Sequence, residues 1–293
     1  MFNYFKKLRA LFTSINSYEE RLHRIQEALG RIELRQNIEN DSLSIVEKEF
    51  KVFSQFGEDG IIQFLLSHIR IDNPYFVEFG VETYLESNTR FLLINNNWSG
   101  LVIDGSSDNI AIVQSDPIYW RHNLKAYCAF ITKENINNLL KENGAVGDIG
   151  ILSIDIDGND YWIWNAIEVI NPAIVIIEYN ARFGPDISVS VPYDPGFDRH
   201  QKHHSMIYFG ASIKALCSLA ANKGYAFVGC GSSGLNAFFV RRDLMVEEIK
   251  ELTVEEGYIR NKFRESRNND GELIYLSQEE EYKLLISLPL EII

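Results

Sequence analysis

The sequence predicts a Rossmann-like α/β fold, a doubly wound, seven-stranded, mostly parallel sheet with one antiparallel strand. Three observations predict it. From about residue 50, short runs rich in Val, Ile and Phe alternate with segments of about ten residues that read as helices. The runs are apolar throughout, as strands covered on both faces must be. The last two are separated only by Gly229-Cys230-Gly231-Ser232-Ser233-Gly234, too short for a crossover helix, so they form an antiparallel hairpin.

In order, the strands are expected at Tyr75–Val81, Gly100–Asp104, Leu124–Ile131, Ile149–Asp155, Ala173–Tyr179, Tyr225–Val228 and Ala237–Val240. Helices are expected near 87–96, 107–115, 133–143 and 160–169, with a longer one over 211–223 that ends at Gly224, a natural C-cap. These elements make one domain over residues 49–245, and the charged tail over 246–293 reads as helical, with an apolar end at Leu284–Ile293.

Residues 1–48 form a separate helical extension. Ile15, Tyr18, Leu22, Ile25, Leu29 and Ile32 recur at steps of three and four, the seam of an amphipathic or coiled-coil helix. Glu19, Glu20, Arg21, Arg24, Glu27 and Arg31 fill its polar face. Nearer the start, Phe2, Phe5, Leu8, Leu11 and Phe12 stand beside Lys6, Lys7 and Arg9, which suits a helix lying on an anionic membrane surface. Packing on the chain's own domain, or homo-oligomer formation, is the preferred reading.

A formal charge of -13 on 293 residues argues against nucleic acid as a partner, because that needs a basic stripe. Cys128, Cys217 and Cys230 are odd in number and widely spaced, so they suggest buried thiols in a reducing compartment. No apolar run is long enough to span a bilayer, and no signal-peptide pattern opens the chain. The expected location is cytoplasmic, with peripheral contact at the inner face of the membrane as the alternative for the N-terminal helix.

In an open α/β sheet, ligands bind beyond the carboxyl ends of the strands, at the switch point. The first strand ends there in Glu78-Phe79-Gly80, and Gly80 permits close backbone approach to a ligand. The second ends in Asp104, placed to accept hydrogen bonds from ribose hydroxyls, although Asp104-Gly105 is also strong turn chemistry. A nicotinamide cofactor would call for a fuller glycine fingerprint than follows the first strand.

The ordered set Ser54-Gln55-Phe56-Gly57-Glu58-Asp59-Gly60, Val77-Glu78-Phe79-Gly80, Gly100-Leu101-Val102-Ile103-Asp104-Gly105 and Leu152-Ser153-Ile154-Asp155-Ile156-Asp157-Gly158 resembles the FkbM-like methyltransferases over residues 50–243. The resemblance implies the class I methyltransferase fold and S-adenosyl-L-methionine as cofactor. It also implies a cofactor pocket lined by Gln55 and Asp59 as well as Glu78, Gly80, Asp104 and Asp155. Glu78 would lie near the sulfonium and amino group. The sequence departs from the family's glycine-rich turn, with Val81-Glu82-Thr83-Tyr84 after Gly80.

Asp155 and Asp157 at the fourth strand, with Glu178 and Asn180 at the fifth, make a candidate hard-cation site for Mg2+ or Mn2+. Such an ion can lower the pKa of an attacking hydroxyl. The same acids could instead cap the next helix, Asp160 above all. The long irregular stretch 181–208 is expected to cover the substrate, and His203, His204 or Asp157 to take the acceptor's proton. Tyr193, Trp162 and Trp164 offer flat surfaces to a sugar ring, with at least one of the two Trp residues in the core. The sequence therefore points to O-methylation of a small-molecule or glycan hydroxyl acceptor, in polysaccharide or natural-product biosynthesis. A non-catalytic scaffold of the same shape and a nicotinamide-dependent oxidoreductase are the alternatives.

Overall fold

The computed structural model describes residues 2–39 and 44–293, and among the first twenty residues the side chains of Lys6 and Tyr18 only. The elements are α1 (Phe2–Glu39), α2 (Glu58–His68), β1 (Tyr75–Phe79), α3 (Arg90–Asn95), β2 (Ser99–Asp104), α4 (Ser107–Ser115), α5 (Pro117–Arg121) and β3 (Leu124–Cys128). They continue with α6 (Ile136–Glu142), β4 (Gly147–Ile154), α7 (Asp160–Ala166), β5 (Ile170–Glu178), β6 (Val189–Ser190) and α8 (Arg199–Lys202). The last are α9 (Ile213–Asn222), β7 (Tyr225–Cys230), β8 (Asn236–Arg241), α10 (Val254–Gly257), α11 (Gln278–Ile286) and β9 (Glu291–Ile292).

Seven strands form one sheet in the order β3-β2-β1-β4-β5-β8-β7. Every neighbour pairs in parallel except β8, which runs against both β5 and β7. This is the Rossmann-like, doubly wound, mostly parallel seven-stranded architecture that the sequence predicts. Its strand order reverses between β1 and β4, so the loops leaving those strands diverge and open a crevice at their carboxyl ends.

Strand residues alternate between two cores because successive side chains point to opposite faces. Val77, Leu101, Leu152 and Val175 face α6, α7 and α9, meeting Leu140, Trp164 and Leu216. Phe76, Val102, Ile151 and Ile174 face α2, α3 and α4, meeting Ile61, Leu92 and Val113. With both faces covered, β1, β2, β4 and β5 are buried over nearly their whole lengths.

Two segments carry structure that the sequence does not foresee. The tail after residue 245 is helical only at α10 and α11, and its end pairs as β9 with β6. The stretch 181–208 is no open loop. Phe183, Val191, Phe197, Ile207 and Phe209 enclose Leu285, with Leu284 and Leu288 against them, in a third core of its own. The buried Arg182 guanidinium ties the two segments, 3.4 Å from both Glu265 and Glu281. Neither segment is periodic enough to reveal this from sequence; the core exists only because the two lie together. Among the described residues, no helix is long and apolar enough to cross a membrane.

Candidate functional site

A cavity of about 410 Å³ lies at the carboxyl ends of β1, β2, β4 and β5, within the usual range for small-molecule sites. Five of the residues expected at a cofactor line it: Gln55, Glu78, Gly80, Asp104 and Asp155. Their local roles are specific. Glu78 accepts hydrogen bonds from the Asn88 and Thr89 amides (2.8 and 3.1 Å) and from the Ser87 and Thr89 hydroxyls. It thereby pins the turn entering α3 against the cavity. Burial pushes its pKa up, and these donors oppose the shift.

Gly80 has φ +70°, and a Cβ there would lie 1.6 Å from the Asp155 carbonyl oxygen. The close neighbour that demands glycine is thus the end of β4, where a bound ligand was expected. Asp104 bridges two loops: one oxygen accepts from the Glu82 amide, the other from the Ser106 amide, both at 2.8 Å, and from Asn109 at 3.1 Å. It combines the turn role with a place on the cavity wall. In the stretch Val81-Glu82-Thr83-Tyr84, which replaces the glycine-rich turn of the family it resembles, Glu82 and Tyr84 take positive φ (46° and 61°). The Asp104 bond holds the first, and Arg90, donating to the Tyr84 carbonyl at 3.0 Å, holds the second.

Asp59, expected in the pocket, is not on its wall. One of its oxygens accepts from the amides of Val52, Phe53 and Ser54 at 2.7–2.8 Å. Its role there is to shape the loop that presents Gln55. Burial pushes its pKa up to about 6 against those backbone donors.

The acidic cluster is assembled as expected at three positions of four. Oxygens of Asp155, Asp157 and Glu178 lie within 4.8 Å of one another. The agent is a tight turn: β4 ends at Ile154, Asp157 has φ +57°, and Asp160 accepts from the Ile156 and Gly158 amides at 2.9 Å. Asn180 is excluded. Strand alternation stops at Glu178, and the Asn180 amide group is spent on the Ile207 and Phe209 carbonyls (2.8 and 3.0 Å) and on the Arg182 amide.

Burial, followed by the charges of Asp157 and Asp160, pushes half-buried Asp155 well above the ordinary carboxylate range. Burial, then Asp155 and Asp157, does the same to Glu178. Glu178 Oε2 is buried with no hydrogen-bond partner among the described residues. An orphaned carboxylate oxygen beside two more hard donors fits a divalent cation such as Mg2+ or Mn2+.

His203 and His204 do not reach the cavity. Their rings lie 4.2 Å apart, tilted by 35°, and His203 Nδ1 bonds the Ser205 hydroxyl at 2.7 Å. The short helix α8 instead brings Arg199 to the cluster, 3.0 Å from Asp157 and 2.6 Å from Glu265, with its plane 3.9 Å over the Phe209 ring. Neither Arg199 nor Glu265, which also lines the cavity, carried a sequence signal. Of the aromatics, Trp164 is core, while half-buried Trp162 donates to the Val191 carbonyl at 2.9 Å and meets Tyr193 edge-on.

No family model matches this sequence, and no curated protein does. The chain is similar in shape to the N-terminal domain of EvdMO1 with S-adenosylhomocysteine bound, at 12% identity and TM-score 0.42, covering 64% of this chain and 80% of that one. It is similar also to an O-methyltransferase from Bacillus cereus in complex with S-adenosylhomocysteine (14%, 0.36, 71% and 88%). A third is an S-adenosylmethionine-dependent methyltransferase from Clostridium acetobutylicum (10%, 0.38, 62% and 89%). At these scores the likeness is one of remote shape and assigns no residue a role.

Proposed function

We propose that this chain is an S-adenosylmethionine-dependent O-methyltransferase acting on a hydroxyl of a sugar or glycan precursor. One observation carries the reading: carboxylates at four strand ends, Glu78, Asp104, Asp155 and Glu178, converge on one cavity at the switch point of the sheet. Asp104 stands where ribose hydroxyls are held in folds of this kind. The sugar assignment rests on the motif resemblance alone.

S-adenosylmethionine supplies the methyl group already activated on a sulfonium. What the chain must add is alignment of acceptor oxygen, carbon and sulfur, and a destination for one proton. With the histidines outside the cavity, that destination is the acidic cluster, where Asp155 and Glu178 have the raised proton affinity that suits a base. A divalent cation held by Asp155, Asp157 and Glu178 would take those oxygens as ligands in place of the proton, and would act instead by lowering the pKa of the acceptor hydroxyl. Arg199, paired with Asp157 at 3.0 Å, balances part of the cluster's charge.

Calorimetric titration with S-adenosylhomocysteine tests the reading. The protein should bind it, and Asp104→Ala should weaken binding about tenfold or more, since hydrogen bonds to a charged acceptor are lost. No binding by folded protein, or binding only of a nicotinamide dinucleotide, would reject the proposal.

A further inference from the structure

The helix α1 uses one face for its own body and leaves a second, apolar face bare. With Leu22 as heptad position a, side chains at positions b, e and f meet the body. His23 (b) meets Phe53 edge-on at 6.1 Å, and Gln26 (e) donates to the Val52 carbonyl. Gly30 (b) lies so close to Val52 that a Cβ would come within 2.4 Å. Leu34 (f) packs beside Phe50 and Phe91, and Asn37 (b) and Lys48 exchange hydrogen bonds of 2.6 and 3.1 Å through side chain and carbonyl.

The a and d positions point elsewhere. Tyr18, Leu22, Ile25, Leu29 and Ile32 are between 48% and 63% exposed. Five large apolar side chains in one row, left open on a chain whose own core is closed, need a partner. Their spacing says which kind. A membrane-surface helix carries a broad apolar face, whereas steps of four and three make the narrow seam of a coiled coil. The same register continues through the sequence to Ile15, Leu11, Leu8 and Tyr4, which gives the four or so heptads that a stable coil requires.

We infer that α1 joins copies of this chain in a parallel coiled coil through the Tyr18–Ile32 seam. Charge sets the direction. Glu19 and Glu33 occupy e positions, while Arg21 and Arg35 occupy g positions. Antiparallel helices would set e against e and g against g, like against like; parallel helices set the acidic row beside the basic one. Leu at a (Leu22, Leu29) with Ile at d (Ile25, Ile32) favours three or four strands over two. Of the contacts named above, His23, Gly30 and Asn37 at b and Leu34 at f lie away from the seam and Gln26 at e lies beside it, which leaves the coil room to form.

Sedimentation of the full chain at micromolar concentration should give three or four times the 33.7 kDa of one chain. The triple variant Leu22→Glu, Ile25→Glu, Leu29→Glu should sediment as one chain. These side chains are more than half exposed and belong to none of the buried clusters of the body, so unchanged near-ultraviolet circular dichroism will show that it stays folded. In a Cys128→Ser background, Leu22→Cys should cross-link under mild oxidation, because parallel helices bring the two sulfurs together at the axis. A wild-type mass of one chain overturns the proposal, as does a triple variant that stays assembled. A mass of two chains overturns the strand number. A monomer that binds phosphatidylglycerol vesicles, and loses that binding in the triple variant, overturns it in favour of a membrane surface.

Discussion

Gly80 shows how one residue decides whether the cavity exists. Its left-handed φ and the Asp155 carbonyl at 1.6 Å from a hypothetical Cβ mean that any side chain must push β1 and β4 apart at their ends. Gly144 also has positive φ (85°), but a Cβ there would meet nothing within 4 Å. The pair separates backbone strain from steric collision. Gly144→Ala should cost about 1 kcal/mol of stability and leave ligand affinity alone. Gly80→Ala should cost more, and should weaken S-adenosylhomocysteine binding at least tenfold by displacing Asp155. Equal effects in the two variants, by melting and calorimetry, would show that the close approach has no bearing on the site. The importance of Gly80, Glu78 and Asp104 is legible in the sequence because each closes an apolar run. That Gly80 yields to Asp155 is not, since it depends on how β4 ends.

At the scale of elements, the strands supply the acids and the irregular segments supply the counter-charge. Alternation places Asp155 near the ligand edge, and a turn stabilised by Asp160 adds Asp157. Arg199 comes from a four-residue helix, and Glu265 from the tail, and each fixes the other at 2.6 Å. Such contacts leave no trace in local periodicity, because they join segments 66 positions apart. The histidines attract notice for the opposite reason: their chemistry is conspicuous in sequence, while their placement is set by α8 and the Ser205 hydroxyl. If Arg199 acts as the cluster's resident cation, it opposes any divalent ion there by Coulomb repulsion. Arg199→Gln should therefore tighten Mn2+ binding about threefold or more, whereas Arg199→Lys should leave it near the wild-type value. Weaker binding in the Gln variant, measured by calorimetry, would mean that Arg199 shapes the site instead of competing for it.

Over the whole molecule, the acidic balance is partly internal, and the buried acids respond to pH in the opposite sense to the exposed ones. Asp59 and Asp160 are buried carboxyls whose pKa is pushed up from 3.8 to about 6, by burial first of all. Glu78 is raised for the same reason. A group with a raised folded pKa stabilises the fold fully below its unfolded value and loses that contribution as pH rises through the folded one. These acids therefore favour the folded chain as pH falls from 7 toward 5. His122 and His203, lowered by burial, work the other way below 6.5, because there the unfolded chain binds the extra protons. Exposed acids with lowered pKa, such as Asp148 and Asp194, matter only beneath 3.8. The total slope is thus a contest, but one acid can be isolated. Asp59→Asn keeps an oxygen for the amides of Val52, Phe53 and Ser54 and removes the titration. Measured by denaturant unfolding in chelator, the stability advantage of wild type over Asp59→Asn should grow by on the order of 1 kcal/mol between pH 7 and pH 5. A difference that stays constant, or shrinks as the solution becomes more acidic, would mean that Asp59 is already ionised without cost in the folded chain.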